Sequence, residues 1–236
     1  MSSLSLPPLI LAAAIALQPP GQFHGDEPVA RDGETWLALR ASAESASLTP
    51  TRLRVQASED PILDAPGQTS GRRVSSALEP DPDAEGAQVV AYLRGGALAA
   101  GAVSPARILE RSQGVAPPGY RIDLAGRDHR IRTQCTPKRG SQAYARDCAV
   151  VLVAPDEAEQ VLMRVEGRRE ADLLLLGDDA SPELLFAGDL DRDGRLDLIF
   201  DVSDHYNVTR PTLFLSSQAR DGELLHAVST YESVGC

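Results

Sequence analysis

Phe186-Ala-Gly-Asp-Leu-Asp-Arg-Asp-Gly-Arg-Leu-Asp-Leu-Ile-Phe-Asp201 is the stretch from which the fold is read. Counted from Asp189, the acids Asp189, Asp191, Asp193 and Asp197 occupy positions one, three, five and nine, and Gly194 occupies position six. Alternate residues of a tight loop turn their side chains inward, so this spacing gathers four carboxylates about one point. A hard cation such as calcium is held by oxygen ligands of this kind, commonly carboxylates plus one backbone carbonyl. Gly194 permits the sharp turn, because a residue without Cβ enters positive φ at no steric cost. The carbonyl of Arg195, at position seven, completes a candidate Ca2+ ligand set of Asp189, Asp191, Asp193, Arg195 and Asp197.

The flanks decide which kind of loop this is. An EF-hand needs a bidentate Glu at position twelve and a helix on either side. Position twelve here is Phe200, which coordinates nothing. Leu184-Leu-Phe186 and Leu196-Asp-Leu-Ile-Phe200 are short apolar runs bounded by Gly and Asp, and they read as strands. Strand, loop and strand over 186–201 resembles the calcium loop of FG-GAP repeats in integrin alpha chains and of the related bacterial VCBS-type repeats. Phe186-Ala187-Gly188 approximates that family's lead-in, and Asp197-Leu198 matches its exit. The motif occurs once, whereas a propeller needs several copies. The resemblance therefore implies the loop and its ligands, with a binding or scaffold role toward a protein or carbohydrate, and not a full propeller. The competing reading of the same residues is an acidic Asp-Gly hairpin turn.

Working outward, strand signals recur on both sides. Thr35–Arg40 holds the only tryptophan, Trp36, read as a core anchor. Pro50–Gln56 alternates apolar and charged residues, and Gln88–Arg94 resumes strand character. From Tyr120 the chain reads as a meander: Tyr120–Leu124, Arg130–Cys135, Cys148–Val153 and Gln160–Val165 are separated by turn residues at hairpin intervals. Arg169–Leu176, with its wholly apolar Leu173–Leu176, fits a further strand or a short helical turn, and Thr212–Leu215 and Glu223–Val228 close the pattern. No sustained 3.6-residue period stands outside the first 18 residues. The expected fold is mainly β: an antiparallel meander or sandwich-like sheet over 35–236 carrying a calcium-binding hairpin loop. Within that domain, 57–86 is rich in Pro, Gly and acids and reads as a long loop. Its acidic run Glu79–Glu85 is spaced by prolines that prevent the carboxylates from converging.

Residues 1–18 contain the uncharged apolar run Leu9–Leu17, too short to span a membrane and right for a secretory signal peptide cleaved after Ala14 or Ala16. Residues 19–34 then read as a polar mature tail. Export implies a secreted or periplasmic protein with no membrane insertion after cleavage. Cys135 and Cys148 end two apparent strands around a polar stretch, so a disulfide across the hairpin is sterically reasonable and would persist in an oxidising compartment. Cys236 is left over, as a free thiol, an intermolecular link or the true partner of one of the others.

The formal net charge of −11 argues against nucleic acid and anionic membrane surfaces as partners and suits a carrier of cations. Only Asp204-His205-Tyr206-Asn207 suggests chemistry beyond the metal. An acid, an imidazole and a phenol beside a bound cation fit a calcium-dependent periplasmic or secreted hydrolase; the same residues equally cap a turn. No nucleophile elbow, P-loop, dinucleotide fingerprint or His-Glu-x-x-His motif is present. Asn207-Val-Thr209 matches a glycosylation acceptor.

Overall fold

A computed structural model of the chain describes residues 14–60, 62–80, 86–112 and 117–235. The segment expected to be a signal peptide, as far as residue 13, the acids at 81–85 and Cys236 lie outside them. Among the described residues every regular element is a strand, and all strand ladders are antiparallel. The first seven are β1 (Ala16–Gln18), β2 (Gly21–Phe23), β3 (Thr35–Ala41), β4 (Ala46–Ser58), β5 (Gly71–Ser76), β6 (Gln88–Arg94) and β7 (Gly101–Pro105). A meander follows: β8 (Arg107–Arg111), β9 (Tyr120–Leu124), β10 (Arg127–Pro137), β11 (Ala145–Val153), β12 (Glu159–Glu170) and β13 (Leu173–Leu176). The last six are β14 (Leu184–Asp189), β15 (Asp197–Asp201), β16 (Val208–Thr209), β17 (Pro211–Leu215), β18 (His226–Thr230) and β19 (Ser233–Val234).

Two large sheets share one hairpin as their common wall. The larger runs β1-β6-β3-β4-β7-β14-β15-β17-β18, with β5 paired to β4 and β2 to β5 as a flap. It rolls into a nearly closed barrel, because its end strands meet: the Leu17 N–H donates to Ser229 Oγ at 3.0 Å. The second sheet, β13-β12-β11-β10-β9-β8, is a half-barrel in strict sequence order, the expected meander. Cys135 and Cys148 are register partners within it and form a disulfide.

Burial explains why the shared strands read as continuous apolar runs. All five residues of β15 and of β17 are buried, as strands covered on both faces must be. Ile199, Leu213 and Leu215 point into the barrel, against Leu17, Leu39, Leu48 and Leu93. Leu198, Phe200 and Phe214 point the other way, against Ile122, Ile131, Val150 and Leu152 of the half-barrel. A third cluster, Trp36, Ala38, Leu53, Val74 and Tyr92, fills the space under the β2–β5 flap. Trp36 is fully buried as expected, its Nε1–H on Glu34 and the Arg94 guanidinium over its ring.

The structure departs from the sequence reading in three places. Residues 16–18, assigned to the leader, form β1, and Leu17 is buried in the barrel. Residues 19–34, read as a tail, contain β2, and the backbone N–H groups of Val29 and Ala30 are fixed by the buried Gln18 side chain. The loop read over 57–86 holds β5, whose single strong apolar residue, Val74, is wholly buried. Tertiary pairing rather than local pattern makes these segments regular.

Candidate metal centre

The loop leaves β14 at Asp189 and re-enters β15 at Asp197. Two leucines hold it down, one on each side of the shared wall: Leu190 is buried in the barrel and Leu196 against the half-barrel. Gly188 comes so close to β7 that a Cβ there would lie 2.5 Å from the Ser104 carbonyl oxygen, so the lead-in requires glycine. Gly194 turns the chain at φ 79°.

Three of the four carboxylates come together. One oxygen each from Asp189, Asp191 and Asp197 lie within 4.8 Å of one another. Asp189 Oδ2 accepts the Gly194 N–H at 3.0 Å, while its Oδ1 is buried with no hydrogen-bond partner. Asp197 is fully buried; Oδ2 accepts the Leu190 N–H at 2.8 Å, and Oδ1 accepts the Ser216 N–H and hydroxyl at 2.8 and 3.0 Å. Burial, with the Asp191 charge adding to it, pushes the Asp197 carboxyl up to about 7 against these three donors. Asp191 accepts from the Ser217 hydroxyl.

Asp193 is held to one side. Its Oδ1 accepts the Arg195 N–H at 2.8 Å, and its Oδ2 accepts from Arg195 Nε and the Ser216 hydroxyl, both at 2.9 Å. Asp193 is thus next to Asp197 through a shared serine, but it is not in the converging trio. The Arg195 guanidinium also donates to the Ser216 carbonyl at 2.9 Å. Arg192 donates to the carbonyls of Ala99 and Ala102, and Arg127 of the half-barrel to that of Gly194. These three arginines pin the loop to its neighbours, and none of them pairs with the trio.

Ser216 and Ser217, which orient the acids from the β17–β18 turn, carry no signal in the sequence that ties them to the loop. Phe200, at position twelve, is buried in β15. Compared with protein-family profiles, curated proteins and solved structures, the chain matches none.

The Asp204–Asn207 cluster lies on a turn beside β13. His205 Nε2 meets Asp178 Oδ2 at 2.8 Å, and His205 Nδ1 accepts the Asn207 N–H at 3.4 Å, so both ring nitrogens are engaged. Asp204 is paired with Arg210 at 3.0 Å, and Tyr206 is exposed, stacked beside the imidazole. Asp201, in phase with Asp197 along β15, caps this turn instead, accepting the N–H groups of Ser203 and Arg210 at 2.8 and 3.0 Å.

Proposed function

We propose that the protein is an exported, calcium-binding β protein in which the ion is structural and the molecule serves as a binding or scaffold module. The observation that carries this reading is the convergence of Asp189, Asp191 and Asp197, none of them ion-paired to a basic side chain among the described residues, with one buried carboxylate oxygen on Asp189 that has no hydrogen-bond partner there. Three carboxylates so placed repel one another, and a divalent cation supplies the opposite charge that the nearby arginines do not. The donors are all oxygen, which favours a hard ion such as calcium, and the Arg195 carbonyl is available as a further ligand in the loop's numbering. Sites of this type in exported modules have dissociation constants of about 0.1–1 mM.

The ion would tie the β14–β15 hairpin to the β17–β18 turn through Ser216 and Ser217. The Cys135–Cys148 disulfide supports an oxidising compartment. The resemblance to FG-GAP loops supports a protein or carbohydrate ligand. The hydrolase alternative finds less support, since the His205 ring is already engaged on both sides, by Asp178 and by the Asn207 N–H, within its own turn.

The test is a thermal melt of the oxidised protein in EDTA and then in millimolar calcium. The expected result is a rise in Tm with calcium that is absent in Asp189→Asn. Equal melting temperatures with and without calcium would leave an acidic turn held by its own hydrogen bonds and end the metal reading.

A further inference from the structure

Independently of the metal loop, the edge of the meander at β8 and β9 meets the β14 segment at two points and parts from it between them. At one end the Ala106 N–H donates to the Ala187 carbonyl at 2.9 Å. At the other, Arg111 Nη2 reaches Glu183 Oε2 at 3.0 Å and the Leu184 N–H donates to the Tyr120 hydroxyl at 3.1 Å. The strands leave a half-open cleft of about 530 Å³ between these ends. That volume lies within the range of small-molecule sites, roughly 300–1,000 Å³. Its walls are apolar, chiefly Val90, Pro105, Ile108, Leu185 and Phe186, and the turn Ala41–Ala43 forms one side. The polar side chains in the lining are Ser42, Arg107, Arg111 and Tyr120, with no Asp or Glu among them.

These donors define what the cleft can hold. Tyr120 is 7% exposed. Its oxygen already accepts from Leu184, and its hydroxyl hydrogen has no acceptor among the described residues, so it is left to donate. Arg111 uses one donor nitrogen on Glu183, and its guanidinium lies 5.8 Å from the centre of the Tyr120 ring. Its remaining N–H groups form an open fork of the shape that grips a carboxylate. An extended peptide is a poorer occupant, because β14 is bulged at Leu185 and offers no regular ladder along this edge.

We infer that this cleft binds a small apolar carboxylate. The anion sits on Arg111 and the Tyr120 hydroxyl, and the hydrocarbon chain lies against Val90, Leu185 and Phe186.

The test is calorimetric titration of the full chain with octanoate, and with 1-octanol as a neutral chain of the same length. Octanoate is expected to bind saturably below about 1 mM, with octanol weaker by at least about tenfold. Arg111→Gln, at an exposed side chain, should weaken octanoate by a similar factor without changing the melting temperature. Ala43→Trp, on the exposed turn, should block binding of both compounds. No saturable octanoate binding, equal affinity for octanol, or octanoate binding unchanged in either variant would overturn the assignment.

Discussion

Asp189 and Asp193 stand four residues apart in one loop and answer to different forces. Asp189 keeps a buried oxygen without a donor, whereas Asp193 is spent on Arg195 and Ser216. Asp189→Asn should therefore abolish the calcium-dependent rise in Tm and leave the EDTA melt close to that of the parent. Asp193→Ala should lower the EDTA melt itself, by about 1–2 kcal/mol of stability, since it frees the Arg195 guanidinium and the Arg195 N–H and leaves the Ser216 hydroxyl to Asp197 alone. The spacing of the acids was legible in the sequence. The diversion of Asp193 was not, because its partner Ser216 lies 23 residues further on and arrives only with the β17–β18 turn. A second residue-scale prediction concerns pH. The hydrogen bond to Asp60 raises the His24 imidazolium above its usual value, and the same bond holds Asp60 below its own. The histidine's contribution is complete below about pH 6.5 and is lost as pH rises through its raised value. The aspartate's is present above about pH 3.9 and is lost as pH falls through its lowered value. Chemical-denaturation midpoints should thus favour the parent over His24→Gln most strongly between about pH 4 and pH 6.5. A difference that grew above pH 8 would contradict the pairing.

At the scale of single elements, the meander was the easiest part to foresee. Tyr120–Leu124 and Gln88–Arg94 end where the strands end, the Arg169–Leu176 reading resolves into the end of β12 and the strand β13, and Cys135 and Cys148 fall opposite each other as their places at two strand ends suggested. The strands of the meander each lie next to a sequence neighbour, so local alternation and turn residues carry the signal there, whereas Gln88–Arg94 pairs with β1 and β3 and was legible from its own apolar run. Strands β1, β2, β5 and β7 were not read because they are short, polar or glycine-flanked and pair with strands that do not adjoin them in sequence on at least one side; β8 pairs with its neighbour β9 and was missed for another reason. In β8 all five residues are exposed, so the side chains leave no period to detect. For the half-barrel, replacing both Cys135 and Cys148 by Ser is expected to cost on the order of 3 kcal/mol. Equilibrium urea unfolding of the oxidised parent and the double variant measures it, and reduced parent should fall to the level of the variant. The Asp204–Asn207 turn belongs to this scale too: its acids and imidazole are used up in holding Asp178, Asn207 and Arg210.

For the whole molecule, the organising fact is that β14, β15 and β17 serve two cores at once. Ile199 and Leu213 face the barrel, and Leu198 and Phe214 face the half-barrel. An ion bound between β14 and β15 would brace the wall on which both sheets depend, so calcium should raise the unfolding midpoints of Trp36 fluorescence and of the far-ultraviolet signal together. The other place on which the barrel depends is the seam, where Leu17 of β1 is buried in its core. Leu17→Ala is expected to cost about 2–5 kcal/mol, as for other large-to-small changes in a packed core, and denaturant unfolding measures it. Its burial also bears on timing. β1 closes the barrel only when Ser229 of β18, 212 positions later, lies beside it. Until then the barrel's leucines have no complete enclosure. A nascent chain of this protein therefore lacks its complete barrel until β18 has been made.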